Sequence, residues 1–128
     1  MAYPTGSGSE ILRRGAIPAQ STTATNFTFD GSNPTVGSAS AVVPALHIIT
    51  ILNIVFCEMA GADELLALTG HNGSGDVRWL NQQSLPARNT FVFSEKIVLI
   101  GGDSLEIDLD SAGNVDIWYS YIDQNWID

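Results

Sequence analysis

Lys96 to Ile122 reads KIVLIGGDSLEIDLDSAGNVDIWYSYI, and its alternation decides the fold class. A first strand ends in Gly101-Gly102-Asp103, an alternating strand follows, Ala112-Gly113-Asn114 turns, and a second alternating strand closes the run. Leu105, Ile107 and Leu109 alternate with Ser104, Glu106 and Asp108. Val115, Ile117, Tyr119 and Tyr121 alternate with Asp116, Trp118 and Ser120. A period of two sends one set of side chains to a buried sheet face and the other toward solvent. The pattern predicts an antiparallel β-hairpin of these two strands, with Gly113 and Asn114 turning at positive φ.

Working back from that stretch, the chain reads as β throughout. LHIITILNIVFC, Leu46 to Cys57, predicts a central strand apolar on both faces. Ile49, Ile51, Val55 and Cys57 fall on one face; Leu46, Ile48, Leu52, Ile54 and Phe56 fall on the other. Such a strand needs cover on both sides, from a second sheet and from a neighbour or subunit. Glu64–Thr69 and Val77–Leu80 flank Gly70 to Asp76 as a long hairpin tip. Thr90–Phe93 and Ile97–Ile100 are short strands, and Ala60–Leu68 is the one weak place for a helix. Ser21–Phe29 alternates with Thr23, Thr25, Phe27 and Phe29 on one face, before a turn at Asp30-Gly31-Ser32-Asn33-Pro34. Val36–Val43, rich in small residues, predicts a loose edge strand. Ile11–Ile17 opens the domain with Arg13 and Arg14 as an adjacent basic pair. Eight or nine short strands predict an all-β fold, an antiparallel β-sandwich or jelly-roll-like barrel with an extended N-terminal arm. Residues 1-9 are the flexible arm, rich in Gly, Ser and Pro, and residues 10-128 the single sandwich domain.

Composition narrows the function classes. Only 15% of the residues are charged while 45% are hydrophobic, so the chain folds and leaves solubility to Ser, Thr, Asn, Gln and Gly. Five basic against fourteen acidic residues give a net charge of -9, a field that repels phosphate backbones and argues against direct nucleic-acid binding. The N-terminal MAYPTGSGSE lacks the apolar core of a secretory signal, and the apolar run Leu46–Cys57 is too short and too polar for a bilayer; no membrane role is expected. Cys57 alone forms no internal disulfide, which fits assembly in a cytoplasm.

Chemistry-bearing constellations are weak. Asp108-Leu109-Asp110-Ser111-Ala112-Gly113 starts like a calcium loop but places Ala112 and Tyr119 where oxygen ligands are needed, so it reads as a turn. Gly70 to Gly75 lacks the lysine and helix of a phosphate loop. His71 reads as a solvated polar residue, and His47 as a hydrogen-bonded core or interface histidine. Two histidines and one cysteine match no metal-ligand spacing. Cys57, ending a buried strand, reads as a small apolar group. Asp103, Glu106, Asp108 and Asp110 read as a solvated face. No catalytic residue, cofactor or metal is expected, and the protein is read as a non-enzyme.

The tryptophans remain. Trp118 falls on the polar phase of its strand, Trp126 lies in the terminal DQNWID, and Trp79 follows the polar loop. Aromatics so placed are interface anchors or, on the alternative reading, sugar-stacking platforms. Self-association, as a trimer, is expected from Trp118 together with the two-sided apolar strand.

GSEILRRG, the threonine-rich strand, HIITILNIVFC and LPARNTFVFSEKIVLIGGDSLEI follow in an order similar to the small all-β virion accessory proteins of tailed bacteriophages. The cadence of strands and turns spans residues 8-122 and ends on a segment resembling their "GDsL…aG.vdv..sy" close. That resemblance implies a structural virion protein, foremost a capsid decoration (cement) protein on the outer surface of the head, assembled in the host cytoplasm and bound to the major capsid protein. Its alternatives are a neck or tail accessory protein, or a carbohydrate-binding adhesion module of a tail or spike using Gly70–Asp76 and Trp79. Partner contacts are expected from the arm, with Tyr3, Pro4, Arg13 and Arg14, and from Trp118 and Trp126.

Overall fold

Alternation at period two runs through most of the chain, and the computed structural model, which describes residues 7–111 and 113–127, answers it with strands and no helix among those residues. The elements are β1 (Ser7–Gln20), β2 (Thr25–Asn26), β3 (His47–Glu58), β4 (Glu64–His71), β5 (Asp76–Leu85), β6 (Thr90–Phe93), β7 (Ile97–Ile100), β8 (Ser104–Leu109) and β9 (Val115–Ile127). One sheet runs β1-β9-β3-β6, with β7 also on β3; the other runs β2-β8-β4-β5; every pairing is antiparallel. Because β6 and β7 lie end to end along β3, they fill one strand position. The pairs then nest about the β4–β5 tip: β4 with β5, β3 with β6 and β7, β2 with β8, β1 with β9. One long hairpin wrapped into two sheets is a jelly roll.

The expected hairpin of β8 with β9 does not form. β8 belongs to the second sheet and β9 to the first. Both strands bury one face, so their alternation is the same whether they pair edge to edge or stack face to face. The link between them crosses from sheet to sheet and is held by the buried Glu64 carboxylate. Glu64 Oε1 accepts the Ser111 N–H and hydroxyl, each at 3.0 Å, and its other oxygen lies where a side chain on Gly113 would sit. Gly113 is therefore needed for close approach.

β3 also departs from the expected pattern. Ile51 pairs with Tyr121 and Asn53 with Ser120, leaving Leu52 as an extra residue, a β-bulge. Beyond it the phase reverses: Ile49 and Ile51 point inward before the bulge, Ile54, Phe56 and Glu58 after it. Val55 and Cys57, expected beside Ile49 and Ile51, lie on the outer face instead, and both are half-buried. The two-sided strand is a one-sided strand with a corrected register.

Two expected strands are mostly loop. Ser21–Phe29 contributes only Thr25–Asn26 as strand. Polar side chains there bond the local backbone: Gln20 Nε2 donates to Ser21 and Thr23 carbonyls, and Thr25 Oγ1 accepts the Gly37 N–H. Such bonds compete with a ladder. Val36–Val43 is irregular, tied down by Asn26 N–H to the Ser38 carbonyl at 2.7 Å and Val43 N–H to the Asp103 carbonyl at 2.8 Å. The first strand begins earlier than expected: Ser7–Ser9, read as part of the arm, are already paired with Asn125–Ile127, so the terminal DQNWID is mostly strand. Residues 1–6, with Tyr3 and Pro4, lie outside the described residues.

Between the sheets sits a core of Ile, Leu, Val and Phe side chains with two buried tyrosines. Tyr119 and Tyr121 stack at 5.7 Å between centroids, and Phe27 and Phe29 meet them edge-on. Their hydroxyls hold the 27–31 segment: Tyr119 donates to the Thr28 carbonyl at 2.7 Å, and Tyr121 accepts the Gly31 N–H at 3.0 Å. Burial pushes the Tyr119 phenol up to about 12, so it stays a neutral donor at any ordinary pH.

Two tests follow from this packing. A Cβ at Gly15 would overlap the Tyr119 ring, so Gly15→Ala should destabilise the fold by about 1–3 kcal/mol. Urea denaturation should show a lowered midpoint with an unchanged slope. Glu58 gives the second. Burial pushes its carboxyl up, but the Ala62, Gly61, Ala60 and Arg88 amides outweigh that and hold it below the ordinary glutamate range. A depressed carboxyl stabilises the fold above its unfolded-state value and loses that contribution as pH falls through the folded one. Stability measured from pH 6 downward should therefore fall more steeply below about pH 4.5 in the wild type than in Glu58→Gln.

Candidate functional site

Pairing across the first sheet aligns its outward side chains in rows. Ala16, Trp118, Val55 and Val92 form one row, and Leu12, Ile122, Thr50 and Val98 another. Arg14, Ser120 and Asn53 run between them. Leu12 is 72% exposed, Val92 and Val98 each 52%, and Trp118 50%. Four large apolar side chains open to solvent on one face, in two rows on either side of that polar row, are the kind of exposure that marks a contact site. The second sheet offers the opposite chemistry. Its outer rows carry Arg78, Thr69 and Glu106, then Asp76, His71 and Ser104.

Trp118 stands at the centre of the apolar face. The Arg14 guanidinium carbon lies 5.1 Å from its ring centroid, a cation–π contact. Shallow grooves flank the ring. One of about 270 Å³ runs past Ala16, Val55 and Cys57; another of about 520 Å³ runs past Leu12, Leu52 and Asn53. Cys57, expected within a buried strand, is part of this surface, with its Sγ 3.8 Å from Met59 Sδ.

The expected contact residues divide. Arg14 and Trp118 are brought together on the outer face. Arg13 is not beside Arg14, because adjacent strand residues point to opposite faces. It turns toward the core edge, its Nε 3.3 Å from Asp123 Oδ2. His47 Nδ1 lies 2.7 Å from the other oxygen of the buried Asp123, so the cluster ties β1, β9 and β3. Trp126 is half-buried in β9, and its indole nitrogen is enclosed without a hydrogen-bond partner among the described residues. Leu12, Val92 and Val98 were missed by the sequence reading. Their strands were legible, but which phase of each faces outward depends on the pairing.

At the open end of the sandwich Trp79, 41% exposed, borders a groove of about 280 Å³ with Val77, Val98 and His71. Its polar side chains are engaged with one another. His71 Nδ1 meets Asp76 Oδ1 at 2.5 Å, and Nε2 lies 3.6 Å from Glu106, so His71 is engaged with two carboxylates and is not a free solvated group. Asn72 Oδ1 accepts the Ser74 and Gly75 amides, and Asp103 Oδ2 accepts the Ile100 amide. Asp103, Glu106 and Asp108 are half-buried, contrary to the fully solvated face expected. Among the described residues no three His, Cys, Asp or Glu side chains gather as a metal-ion group.

No family model matches the chain, and no curated protein matches it. Solved structures do show likeness. A chain from the structure of infectious bursal disease virus Gx strain is 16% identical over 89% of this chain, with a TM-score of 0.42; this chain spans 32% of that one. Eiger TNF from S. frugiperda is 11% identical over 91% of this chain and 93% of its own, with a TM-score of 0.38. The globular domain of zebrafish complement 1qA protein is 16% identical over 94% and 97%, with a TM-score of 0.39. No functional statement passes from these proteins to this chain.

Proposed function

We propose that this chain is a non-enzymatic structural protein of a tailed-bacteriophage virion, a capsid decoration protein that self-associates through the outer face of its first sheet. The observation that carries the reading is the contrast between the two outer faces: Trp118, Leu12, Val92 and Val98 exposed on one, charged and amide side chains on the other. A jelly roll with four large apolar side chains exposed on one outer face and a mostly polar opposite face has a side to bury and a side to leave wet. The bacteriophage assignment is supported by the strand-and-turn cadence of residues 8-122.

On this reading three copies bury their Trp118 faces, and the assembly bridges neighbouring subunits of an expanded head. Each added contact stabilises the state of the shell that presents the site, by mass action. With five cationic side chains in all, of which Arg13 is paired internally with Asp123, salt bridges donated by this chain are few. Desolvated aromatic and aliphatic groups then supply most of the binding energy. The adhesion alternative draws on the Trp79 ring, but the polar groups beside it already serve the β4–β5 tip and leave few to meet sugar hydroxyls.

Trp118→Ala should weaken self-association by about 2 kcal/mol, roughly 30-fold in Kd, in sedimentation at micromolar concentration. The same substitution should leave the urea midpoint within about 0.5 kcal/mol of wild type, since the ring lies outside the core. An unchanged association constant would remove the outer face from the assembly. For the virion assignment, antibody labelling of purified particles encoded by the same genome should place the protein on the head surface. Labelling confined to the tail tip, or absence from particles, would reject decoration.

A further inference from the structure

A jelly roll leaves four strand edges, and three of them here are blunted. β2 has two residues, and β6 and β7 have four each. The edge strand β5 is broken by register shifts opposite Leu66–Thr69 and by Gln82 at a φ of 53°. Short, bulged edges resist strand addition. β1 is different: 14 residues long, its register with β9 is unbroken from Ser7 to Ile17. Only its C-terminal half is closed. The Ala16 N–H is taken by Asn33 Oδ1 at 3.1 Å, Pro18 has no N–H, and the Ala19 N–H is taken by Asp116. From Ser9 to Arg14, no backbone bond other than those to β9 occurs among the described residues, and no proline, lysine or bulge guards the edge.

We propose that this open half of β1 pairs antiparallel with the same segment of a second copy, centred on Leu12. Ala16 donates to Asn33, away from β9, so the alternation of backbone groups along a strand also aims those of Arg14, Leu12 and Glu10 outward. A twofold centred on Leu12 sets Glu10 opposite the second copy's Arg14, and Arg14 opposite its Glu10. Leu12, 72% exposed in the single chain, meets its own counterpart. Other registers are worse. Centring on Glu10 opposes two carboxylates, and centring on Arg14 opposes two guanidiniums and drives the incoming strand into Asn33. Centring on Ile11 sets Leu12 against Glu10 and forfeits both charge pairs. All three side chains lie on the outer face with Trp118, so the joined sheets carry both copies' Trp118 on one face.

This inference rests on the reading of the protein as self-associating but uses a different element from the Trp118 face. It adds a twofold contact: two chains when it acts alone, six where it joins two trimers. Two symmetric charge pairs turned from attractive to repulsive correspond to about ten-fold in affinity. Sedimentation of the full chain carrying Glu10→Arg, or Arg14→Glu, should show that loss, and the double variant should recover wild-type affinity. Leu12→Pro removes an N–H that points away from β9, so it should abolish the twofold contact while the β1–β9 ladder survives. In hydrogen exchange read by NMR, the Leu12 and Arg14 amides should gain protection as concentration rises, while the Ile11 and Arg13 amides are protected throughout. Failure of the double variant to recover, or a Leu12 amide that stays open in the associated protein, overturns edge pairing. Association lost in Trp118→Ala but unmoved by Glu10→Arg overturns it too, and leaves the face reading standing. The reverse pattern keeps the edge and removes the face. A wild-type chain that remains single up to its solubility limit overturns both.

Discussion

The extra residue in β3 sets the geometry of the whole first sheet. β3 is flanked by β9 on one side and by β6 and β7 on the other, so its register is shared by three partners. Without the bulge at Leu52, a strict period of two would carry Val55 and Cys57 inward beside Ile49 and Ile51, and turn Ile54 and Phe56 to solvent. The bulge absorbs one residue and keeps the larger pair inside. Its consequence appears in the neighbouring strand. β6 ends at Phe93 opposite Ile54, and β7 begins at Ile97 opposite Ile51, so the gap at residues 94–96 faces the bulge. One local irregularity explains both the phase change and the divided strand. It also brings Glu58 inward, where its carboxylate gathers the amides of the following turn.

The side of the sandwich beneath β1 is closed by side chains more than by strands. Segment 27–31 has almost no ladder, yet Phe27 and Phe29 are buried. Tyr119 and Tyr121 supply the missing backbone partners from across the core. Gly15 makes this possible, since any side chain there would occupy the place of the Tyr119 ring. An irregular segment is tolerated in a dry place because its polar groups are satisfied from the facing sheet.

Packing of this kind leaves surface chemistry to the strand phases that the core does not use. In the second sheet those phases carry charges and amides that bond one another. In the first they carry Leu12, Val55, Val92, Val98, Trp118 and Ile122. Neither composition nor net charge distinguishes the two faces, since both kinds of residue are spread along the chain. The strand order does so, by placing β1, β9, β3 and β6 side by side with their apolar outward residues in register. The proposed assembly through one face rests on that placement, and the open half of β1 lies at its margin.

Much of this was legible in the residues. The alternation of 104–109 and 115–121 located β8 and β9 and their inward residues, and Trp118 stood out because it broke the polar phase. Thr90–Phe93 and Ile97–Ile100 were read with their observed limits, since turn residues bound both strands. Period two is a local property that any half-buried strand satisfies. It is blind to whether β8 lies beside β9 or beneath it, to a single inserted residue such as Leu52, and to polar side chains that replace a ladder around Thr25. Local sequence thus determined most of the residues that extend and, away from the bulge in β3, which of their side chains seek the core. Only the tertiary structure decided which strands share a sheet, and therefore which leftover apolar phases meet to make a surface, because pairing is settled by contacts between residues far apart in the chain.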